Sequence, residues 1–285
     1  MKTVTIYSIL IVLLASCSYD GMSSIIGPEN DKPLHKGDEE VTVDKEPGTI
    51  RLMQYNVGVF HKSGSSSLQM VSDMMKELQV DVISLNELDS VTTRTGKVDQ
   101  LKAFAAQMGG WNYKYAYAMH YQGGKYGVGA AASPELNYVA GRNIHLPKVS
   151  GGEERALAVM EFDNFIFAAT HLDFGAAQLT QVATINSFFD SVYEDTDKPI
   201  FLCGDFNSTP GSDTIKEVLK TWTMISVEDK TASAISPTKC IDFIFMRKNG
   251  ANVKIVKSMV CKKFSSGDVT IASDHLPVFT DIILQ

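Results

Sequence analysis

Five apolar runs rich in β-forming residues follow one another in the middle of the chain, with no helical stretch between them. They cover residues 113–119, 127–132, 136–146, 155–162 and 165–170. Parallel neighbours need a long crossover, usually a helix, so this block excludes a simple parallel βαβ fold. Two β-sheets that pack face to face, with helices outside them, accommodate this order.

On both sides of this block, single β-like runs alternate with helical stretches. Apolar residues recur at helical spacing in residues 68–78, and further helices are predicted at 101–108, 178–193 and 212–220. Asp99 and Ser212 stand where helix N-caps are expected. The remaining strands are predicted at residues 50–57, 81–85, 199–203, 240–246, 253–260 and 277–284.

Composition excludes several classes of protein. A chain of 285 residues that is 44% hydrophobic is too apolar to be disordered as a whole. Its formal net charge of -7 argues against nonspecific binding to duplex DNA, which usually requires a basic face. Four cysteines are too few for a disulfide scaffold, although a disulfide between Cys240 and Cys261 is an option in an oxidising compartment.

The N-terminus has the organisation of a secretory signal. Lys2 is followed by an apolar run that is too short to span a bilayer. The run ends in Leu-Ala-Ser-Cys, which resembles a bacterial lipobox with Cys17 as the lipidated residue. We therefore expect a signal peptide over residues 1–16 and a lipidated, Pro/Gly-containing tether over 17–48. One folded domain over 49–285 would then be held at the bacterial cell envelope, periplasmic or surface-exposed.

Polar side chains stand repeatedly where the predicted strands end. Rigid sheets present functional groups at such ends, so the set indicates one convergent cleft. The carboxylates and amides are hard oxygen ligands and no cysteines have zinc spacing, which favours Mg²⁺ or Mn²⁺. Histidines beside such an ion fit water attack on a phosphoester. The residues concerned are Asn56, Asn86, Glu87, His171, Asp173, Asp205, Asn207, Asp242, Asp274 and His275.

Six segments around these residues resemble the endonuclease/exonuclease/phosphatase superfamily. They occur in the family's order and cover residues 50–285, and the combination of the fourth, fifth and sixth is the most specific. The segments are Met53-Gln54-Tyr55-Asn56, Ser84-Leu85-Asn86-Glu87, Thr170-His171-Leu172, Gly204-Asp205-Phe206-Asn207, Ile241-Asp242-Phe243-Ile244-Phe245 and Ser273-Asp274-His275-Leu276-Pro277. The resemblance implies an α/β fold, a four-layer α-β-β-α sandwich with two packed mixed β-sheets.

The resemblance also implies a metal site and a catalytic set. Asn56, Glu87 and Asp274 would hold Mg²⁺ or Mn²⁺, with Glu87 as the principal ligand. Asp205 would orient or deprotonate the attacking water, and His275 would contact the scissile phosphate or act as the base. The sequence does not decide which of the two residues takes the proton.

The other catalytic residues have supporting roles in this resemblance. Asn207 would hold phosphate oxygens, Asp242 would orient His275, and His171 would stabilise charge or assist the leaving group. Arg155 and Tyr126 are weaker candidates for contacts with the substrate.

Three positions depart from patterns in the family. Asn86 replaces a frequent Gln, and Val128 replaces an Asn in the segment Tyr126-Gly127-Val128. Gly58 stands where some abasic-site enzymes carry an Asp, and such enzymes often lack the histidine present here as His171. These features favour the branches that contain DNases, sphingomyelinases and phosphatases.

We therefore expect a monomeric metal-dependent hydrolase that cleaves a phosphodiester or a phosphomonoester by in-line water attack. Its substrate would be a lipid head group, a small phosphoester or nucleic acid, and its contact with the membrane would be the lipid anchor. One alternative is an envelope endonuclease or exonuclease that acts on DNA or RNA. Another is a non-catalytic binding module of the same fold, which the complete set of motif residues disfavours.

Overall fold

The computed structural model describes residues 43–285, which contain twelve β-strands and five α-helices. The strands are β1 (Ile50–Asn56), β2 (Val82–Ser90), β3 (Asn112–Tyr121), β4 (Gly124–Ala132), β5 (Tyr138–Leu146), β6 (Arg155–Phe162), β7 (Ile166–His171), β8 (Ile200–Asp205), β9 (Trp222–Met224), β10 (Asp242–Arg247), β11 (Val253–Val260) and β12 (Val278–Leu284). The helices are α1 (Leu68–Glu77), α2 (Gln100–Gln107), α3 (Ala177–Val192), α4 (Asp213–Thr221) and α5 (Val269–Ala272).

The strands form two mixed sheets. Within the described residues, one sheet has the order β11-β12-β1-β2-β4-β3 and the other has the order β5-β6-β7-β8-β10-β9. Pairs β1–β2 and β7–β8 are parallel, and every other named pair is antiparallel. The uninterrupted block of predicted strands spans both sheets, because β3 and β4 form a hairpin in the first and β5–β7 a meander in the second.

Alternation of side chains along the strands produces the layers. In β1, Leu52 points to the core between the sheets, whereas Met53 and Tyr55 point to the core beneath α1, α2 and α5. In β8, Phe201 and Cys203 face the first sheet, and Leu202 faces α3 and α4. The predicted α-β-β-α sandwich is therefore confirmed.

Several details differ from the expectation. Strand β2 continues to Ser90, well past the predicted residues 81–85, and the short elements β9 and α5 were not predicted. Residues 43–48, assigned to the tether, already contact the domain: Lys45 Nζ lies 2.7 Å from Asp81 Oδ1, and Arg51 Nη1 donates to Val43 O at 2.9 Å.

The disulfide considered between Cys240 and Cys261 is absent from the described structure, where both thiols are free and buried. Cys240 precedes β10 in one sheet, and Cys261 follows β11 in the other, so the two cysteines are not on neighbouring strands.

The signal peptide and Cys17 lie outside the described residues. No helix in the described part is long and apolar enough to span a bilayer.

A buried ion pair joins β1 to β12. Arg51 Nε and Nη2 each lie 2.7 Å from a carboxylate oxygen of Asp281, and both side chains are almost completely buried. We expect Arg51→Met to lower the free energy of unfolding by about 3–5 kcal/mol, because Asp281 would remain buried without its partner. Urea denaturation measures this change. In the matched control Lys220→Met, which removes an exposed pair with Glu217, the loss should stay below about 1 kcal/mol; an equally small loss for Arg51→Met would contradict the expectation.

Candidate active site

The site continues the inner faces of the two sheets. In β7 and β8, the apolar residues that face the opposite sheet are followed, two positions later, by a polar residue at the end of the strand. Phe201 and Cys203 precede Asp205 in β8, and Phe167 and Ala169 precede His171 in β7. The antiparallel strand β10 has the reverse order, since Asp242 begins it and precedes Ile244. In the strand register, His171 and Asp242 lie on opposite sides of Asp205. The predicted convergence of strand ends is therefore present.

The side-chain amide of Asn86 connects the two sheets at this end. Its oxygen accepts hydrogen bonds from Gln54 Nε2 at 2.6 Å and from the backbone N–H of Asp205 at 2.9 Å. Its nitrogen donates to the backbone oxygen of Thr170 at 2.9 Å. Gln54 Nε2 also lies 3.1 Å from Asp242 Oδ1. The network fixes β8 and β10 relative to β1 and β2, and so positions the carboxylates of Asp205 and Asp242.

Asp205 lies at the centre of the cleft. One of its carboxylate oxygens, Oδ2, is 3.1 Å from Asn56 Nδ2, 3.5 Å from His171 Nε2 and 3.6 Å from His275 Nε2. The other, Oδ1, accepts the backbone N–H of Asn207 at 2.8 Å. Because Asp205 and both imidazoles are buried, these groups interact in surroundings of low polarity that strengthen electrostatic effects.

The environment moves the pKa values of Asp205 and His275 upward. Burial, followed by repulsion from Asp242, raises the pKa of Asp205 to about 7. Burial opposes a charged His275, but attraction from Asp242, which accepts from Nδ1 at 2.8 Å, and from Asp205 and Asp274 raises the pKa of His275 to about 10. His275 is therefore an imidazolium at neutral pH, and Asp205 is the group that titrates there.

Arg155 holds His171 from behind. Arg155 is almost fully buried, and its Nη1 lies 3.0 Å from His171 Nδ1, while Nη2 lies 3.2 Å from Glu153 Oε2. Burial and the Arg155 charge lower the pKa of His171 well below its ordinary value, so the ring is neutral. Both ring nitrogens face donors, because Asn207 Nδ2 lies 3.0 Å from Nε2. The guanidinium is the charged and therefore stronger donor, so we assign the unprotonated nitrogen to Nδ1 and the hydrogen to Nε2, which lies 3.5 Å from Asp205 Oδ2. The structure thus places Arg155 against His171, and its contact with the substrate stays a prediction.

The turn after β8 positions Asn207. The residue adopts a positive φ of 48°, a conformation that Asn tolerates better than most residues, and its amide nitrogen lies 2.9 Å from Leu172 O and 3.0 Å from His171 Nε2. Gln178 on α3 fixes the same turn, because its Nε2 donates to the backbone oxygen of Phe206 at 2.9 Å. Asp173 lies behind this region and accepts the N–H of Glu153 at 2.9 Å.

A bulge in β2 directs Glu87 toward the cleft. The pairing of β2 with β4 shifts between Leu85 and Leu88, so both leucines face the same core although they are three residues apart. Glu87, inside this irregularity, has a positive φ of 55°, and its Oε1 lies 3.2 Å from Asn56 Nδ2.

The residues at this edge fit a divalent cation. Glu87 and Asp274 are partly exposed carboxylates, and the ammonium of Lys62 lies 2.9 Å from Asp274 Oδ2 and 4.0 Å from Glu87 Oε2. A cation thus already stands between two of the predicted metal ligands, which have the oxygen chemistry that Mg²⁺ and Mn²⁺ prefer. Asp205, Asp242 and His275 form a second group with ligand atoms close together, but His275 and Asp242 are paired with each other there.

Tyr126, the other residue predicted to contact the substrate, belongs to a separate stack. The Arg94 guanidinium lies 4.4 Å from the Tyr121 ring centroid and 5.5 Å from that of Tyr126, and it donates twice to the buried Asp89. Burial, followed by the Glu87 charge, raises the pKa of Tyr126, so its hydroxyl stays protonated.

Sequence reasoning missed three residues of this region. Lys62 lies in a loop with no motif, and Gln54 was read only as part of the first motif. Ser273 accepts the His275 N–H at 3.1 Å and donates to the backbone oxygen of Asn56 at 2.6 Å. The sequence did contain a sign that Gln54 faces the cleft. It stands two residues after Leu52 and two before Asn56, so the three side chains lie on the inner face of β1.

Comparison with known proteins identifies the family. The model of the endonuclease/exonuclease/phosphatase family matches residues 53–275, so the chain belongs to that family. Comparison with curated protein sequences gives no match.

Solved structures of two Bacteroides proteins and one human protein have the same fold. An endonuclease/exonuclease/phosphatase from Bacteroides vulgatus is 16% identical, with a TM-score of 0.66, and covers 83% of this chain and 99% of its own. A Bacteroides thetaiotaomicron mannosyl-6-phosphatase is 15% identical, with a TM-score of 0.67, and the match covers 82% of this chain and 100% of the phosphatase. The human Nocturnin catalytic domain, with bound sulfate, is 15% identical, with a TM-score of 0.65 and coverages of 84% and 94%.

The raised pKa of His275 predicts a dependence of stability on pH. A group whose folded pKa exceeds its unfolded value of 6.5 stabilises the fold fully below pH 6.5, and this contribution disappears as the pH rises through about 10. In buffer with EDTA, we therefore expect the stability difference between wild type and His275→Gln to shrink between pH 6 and pH 10. Urea denaturation across this range measures it, and a difference that grows with pH would contradict the assignment of charge.

The contact with Arg155 predicts the protonation state of His171. We expect ¹⁵N NMR of labelled histidine to show a neutral ring with its hydrogen on Nε2 in the wild type. Arg155→Met should raise the pKa of His171, because a neighbouring positive charge is lost, and should mix the two tautomers. Arg155→Lys retains the charge and is the matched control. A hydrogen on Nδ1 in the wild type would show that Arg155 does not set the tautomer.

Proposed function

We propose that this protein is a divalent-metal-dependent phosphoesterase that hydrolyses a phosphodiester or a phosphomonoester by in-line attack of water. The observation that carries the proposal is the convergence of Asp205, neutral His171 and charged His275 in a buried cleft. The Nε2 atoms of both imidazoles lie within 3.6 Å of Asp205 Oδ2. Glu87 and Asp274 stand at the open edge of the same cleft. Membership of a family of phosphatases and nucleases supports the same reaction class.

Asp205 is the group best suited to accept the proton of the attacking water. Its pKa of about 7 lies near the working pH, where a base is both available in its ionised form and strong enough to act. The contact of His275 Nδ1 with Asp242 at 2.8 Å favours the protonated ring and raises the pKa of His275, which makes this residue less suited to the role of base. This separation of the two pKa values favours Asp205 among the options that the sequence left open.

The histidines and Asn207 would stabilise the phosphoryl group. The imidazolium of His275, held by Asp242, faces negative charge that develops on phosphoryl oxygens. The Nε2–H of His171 and the amide of Asn207 are additional donors, which Arg155 and the turn after β8 hold in place. A divalent ion held by Glu87, Asp274 and Asn56 would offset charge on the phosphoryl oxygens.

The cellular setting is part of the proposal. The lipobox-like sequence that ends in Cys17 supports a lipid anchor at the bacterial envelope, and the protein is proposed to act there as a monomer. Fractionation of cells that express the wild type or Cys17→Ala tests this anchor, since the variant should leave the membrane fraction.

Replacement of either central residue should reduce turnover without unfolding the protein. We expect Asp205→Asn and His275→Ala to lower kcat by about 10²–10⁴-fold, because each removes a group that handles a proton or charge in the transition state. Asp213→Asn, the same chemical change at an exposed position on α4, is the matched control. Thermal melts show whether each variant is folded. Full activity in Asp205→Asn would contradict the proposal.

A substrate panel identifies which phosphoester is cleaved. It contains plasmid DNA, RNA, sphingomyelin, inositol phosphates, mannose 6-phosphate and an aryl phosphodiester, each with Mg²⁺ or Mn²⁺ and with EDTA. The panel includes a sugar phosphate because one structural neighbour is described as a mannosyl-6-phosphatase. Cleavage of DNA or RNA alone would favour the envelope nuclease over a lipid or small-molecule hydrolase.

A further inference from the structure

Lys62 occupies the position between two carboxylates at the open edge of the cleft. Its ammonium forms a 2.9 Å ion pair with Asp274 Oδ2 and is 4.0 Å from Glu87 Oε2. The side chain is 37% exposed, so it can leave this position without disturbing the core. None of the six family-like segments includes it.

The backbone has a feature that admits this side chain. Gly58 adopts a positive φ of 50°, and a Cβ at that position would overlap three carbons of the Lys62 stem. Gly58 also donates its N–H to Asn56 Oδ1 at 3.1 Å, which keeps this segment against the site. The absence of a side chain at residue 58 therefore opens the path by which Lys62 reaches Glu87 and Asp274.

A divalent ion and this ammonium cannot share the gap. Mg²⁺ binds carboxylate oxygens at about 2.1 Å, closer than the ammonium approaches either carboxylate. Two like charges at such separation repel strongly, since screening by solvent is incomplete in a cleft. Entry of the ion therefore requires the ammonium to leave.

The displaced side chain has space nearby. A cavity of about 240 Å³ adjoins Asp274, and Lys62 is among the residues that line it, together with Ser63, Ser233 and Thr270. Ala234, Ile235 and Ile271 also line the cavity, and because it is open, solvent can reach an ammonium there. The movement is thus a change of side-chain rotamer within the same cleft.

We propose that Lys62 is an exchangeable cation of the metal site: its ammonium fills the gap between Glu87 and Asp274 in the metal-free protein, and a divalent ion displaces it on binding. This inference rests on the proposed function, because it requires a metal at that gap. Its consequence is a weakened affinity for metal, since each binding event must break the ion pair of Lys62 with Asp274. In the metal-free site, in turn, the ammonium offsets part of the charge of the two carboxylates.

The experiment measures Mn²⁺ binding to the full metal-free protein by calorimetry and by electron paramagnetic resonance, without substrate. We expect Lys62→Met, which keeps a stem of similar size without charge, to bind Mn²⁺ about three- to tenfold more tightly than the wild type. Lys62→Gln provides a second neutral variant. Lys62→Arg should stay within about twofold of the wild type, and Lys216→Met, which makes the same charge change on α4, should not differ from it.

The outcomes separate this inference from the proposed function. If the wild type binds Mn²⁺ and both neutral variants bind it equally or more weakly, Lys62 is not displaced and the inference is overturned. If Lys216→Met tightens binding as much as Lys62→Met does, net charge explains the effect, which also overturns it. If Glu87→Gln and the wild type alike bind no Mn²⁺ at millimolar concentration, the metal requirement itself fails, and the exchange fails with it.

Discussion

The amide of Asn86 is the interaction on which the geometry of the cleft depends. It accepts from Gln54 and from the Asp205 N–H, and it donates to Thr170 O, so one buried side chain contacts strands of both sheets. Sheets that pack through apolar side chains alone can slide with little loss of contact, whereas hydrogen bonds in a buried setting tolerate little displacement. The separation of Asp205 from Asn56, and hence the width of the cleft, follows from this connection.

The buried charges are compatible with the fold because each has a partner. Asp242 accepts from His275 and Gln54, and Asp205 lies between an amide and two imidazoles. An isolated buried carboxylate would be too costly to retain, so the same contacts that stabilise the fold also set the protonation states used in the reaction. The opposite pKa shifts of His171 and His275 arise in this way: one ring faces Arg155, the other faces carboxylates.

The sequence predicts the layers and the convergence of strand ends because both follow from alternation. The pattern is visible in the sequence alone. His171 and Asp205 each stand two residues after an inward-facing apolar residue, and Asp242 stands two residues before one. The bulge at Glu87 could not be predicted from the sequence. Its sign is that Leu85 and Leu88, three residues apart, face the same core, and this is visible in the folded structure. Lys62 and the position of Arg155 behind His171 depend on contacts between segments distant in sequence, which alternation does not describe. The extent of β2 was missed because its polar second half is buried only through tertiary packing.

The order of strands also has a consequence for how the enzyme matures. Strand β12 lies between β11 and β1, so the first strand of the domain is completed by a partner from the end of the chain. Closing such a long loop is slow, because its entropic cost precedes the contacts that compensate it. Asp274 and His275 arrive with that same closing segment. A chain still emerging from a ribosome would therefore have an incomplete cleft, and activity would begin only after the whole domain has been released.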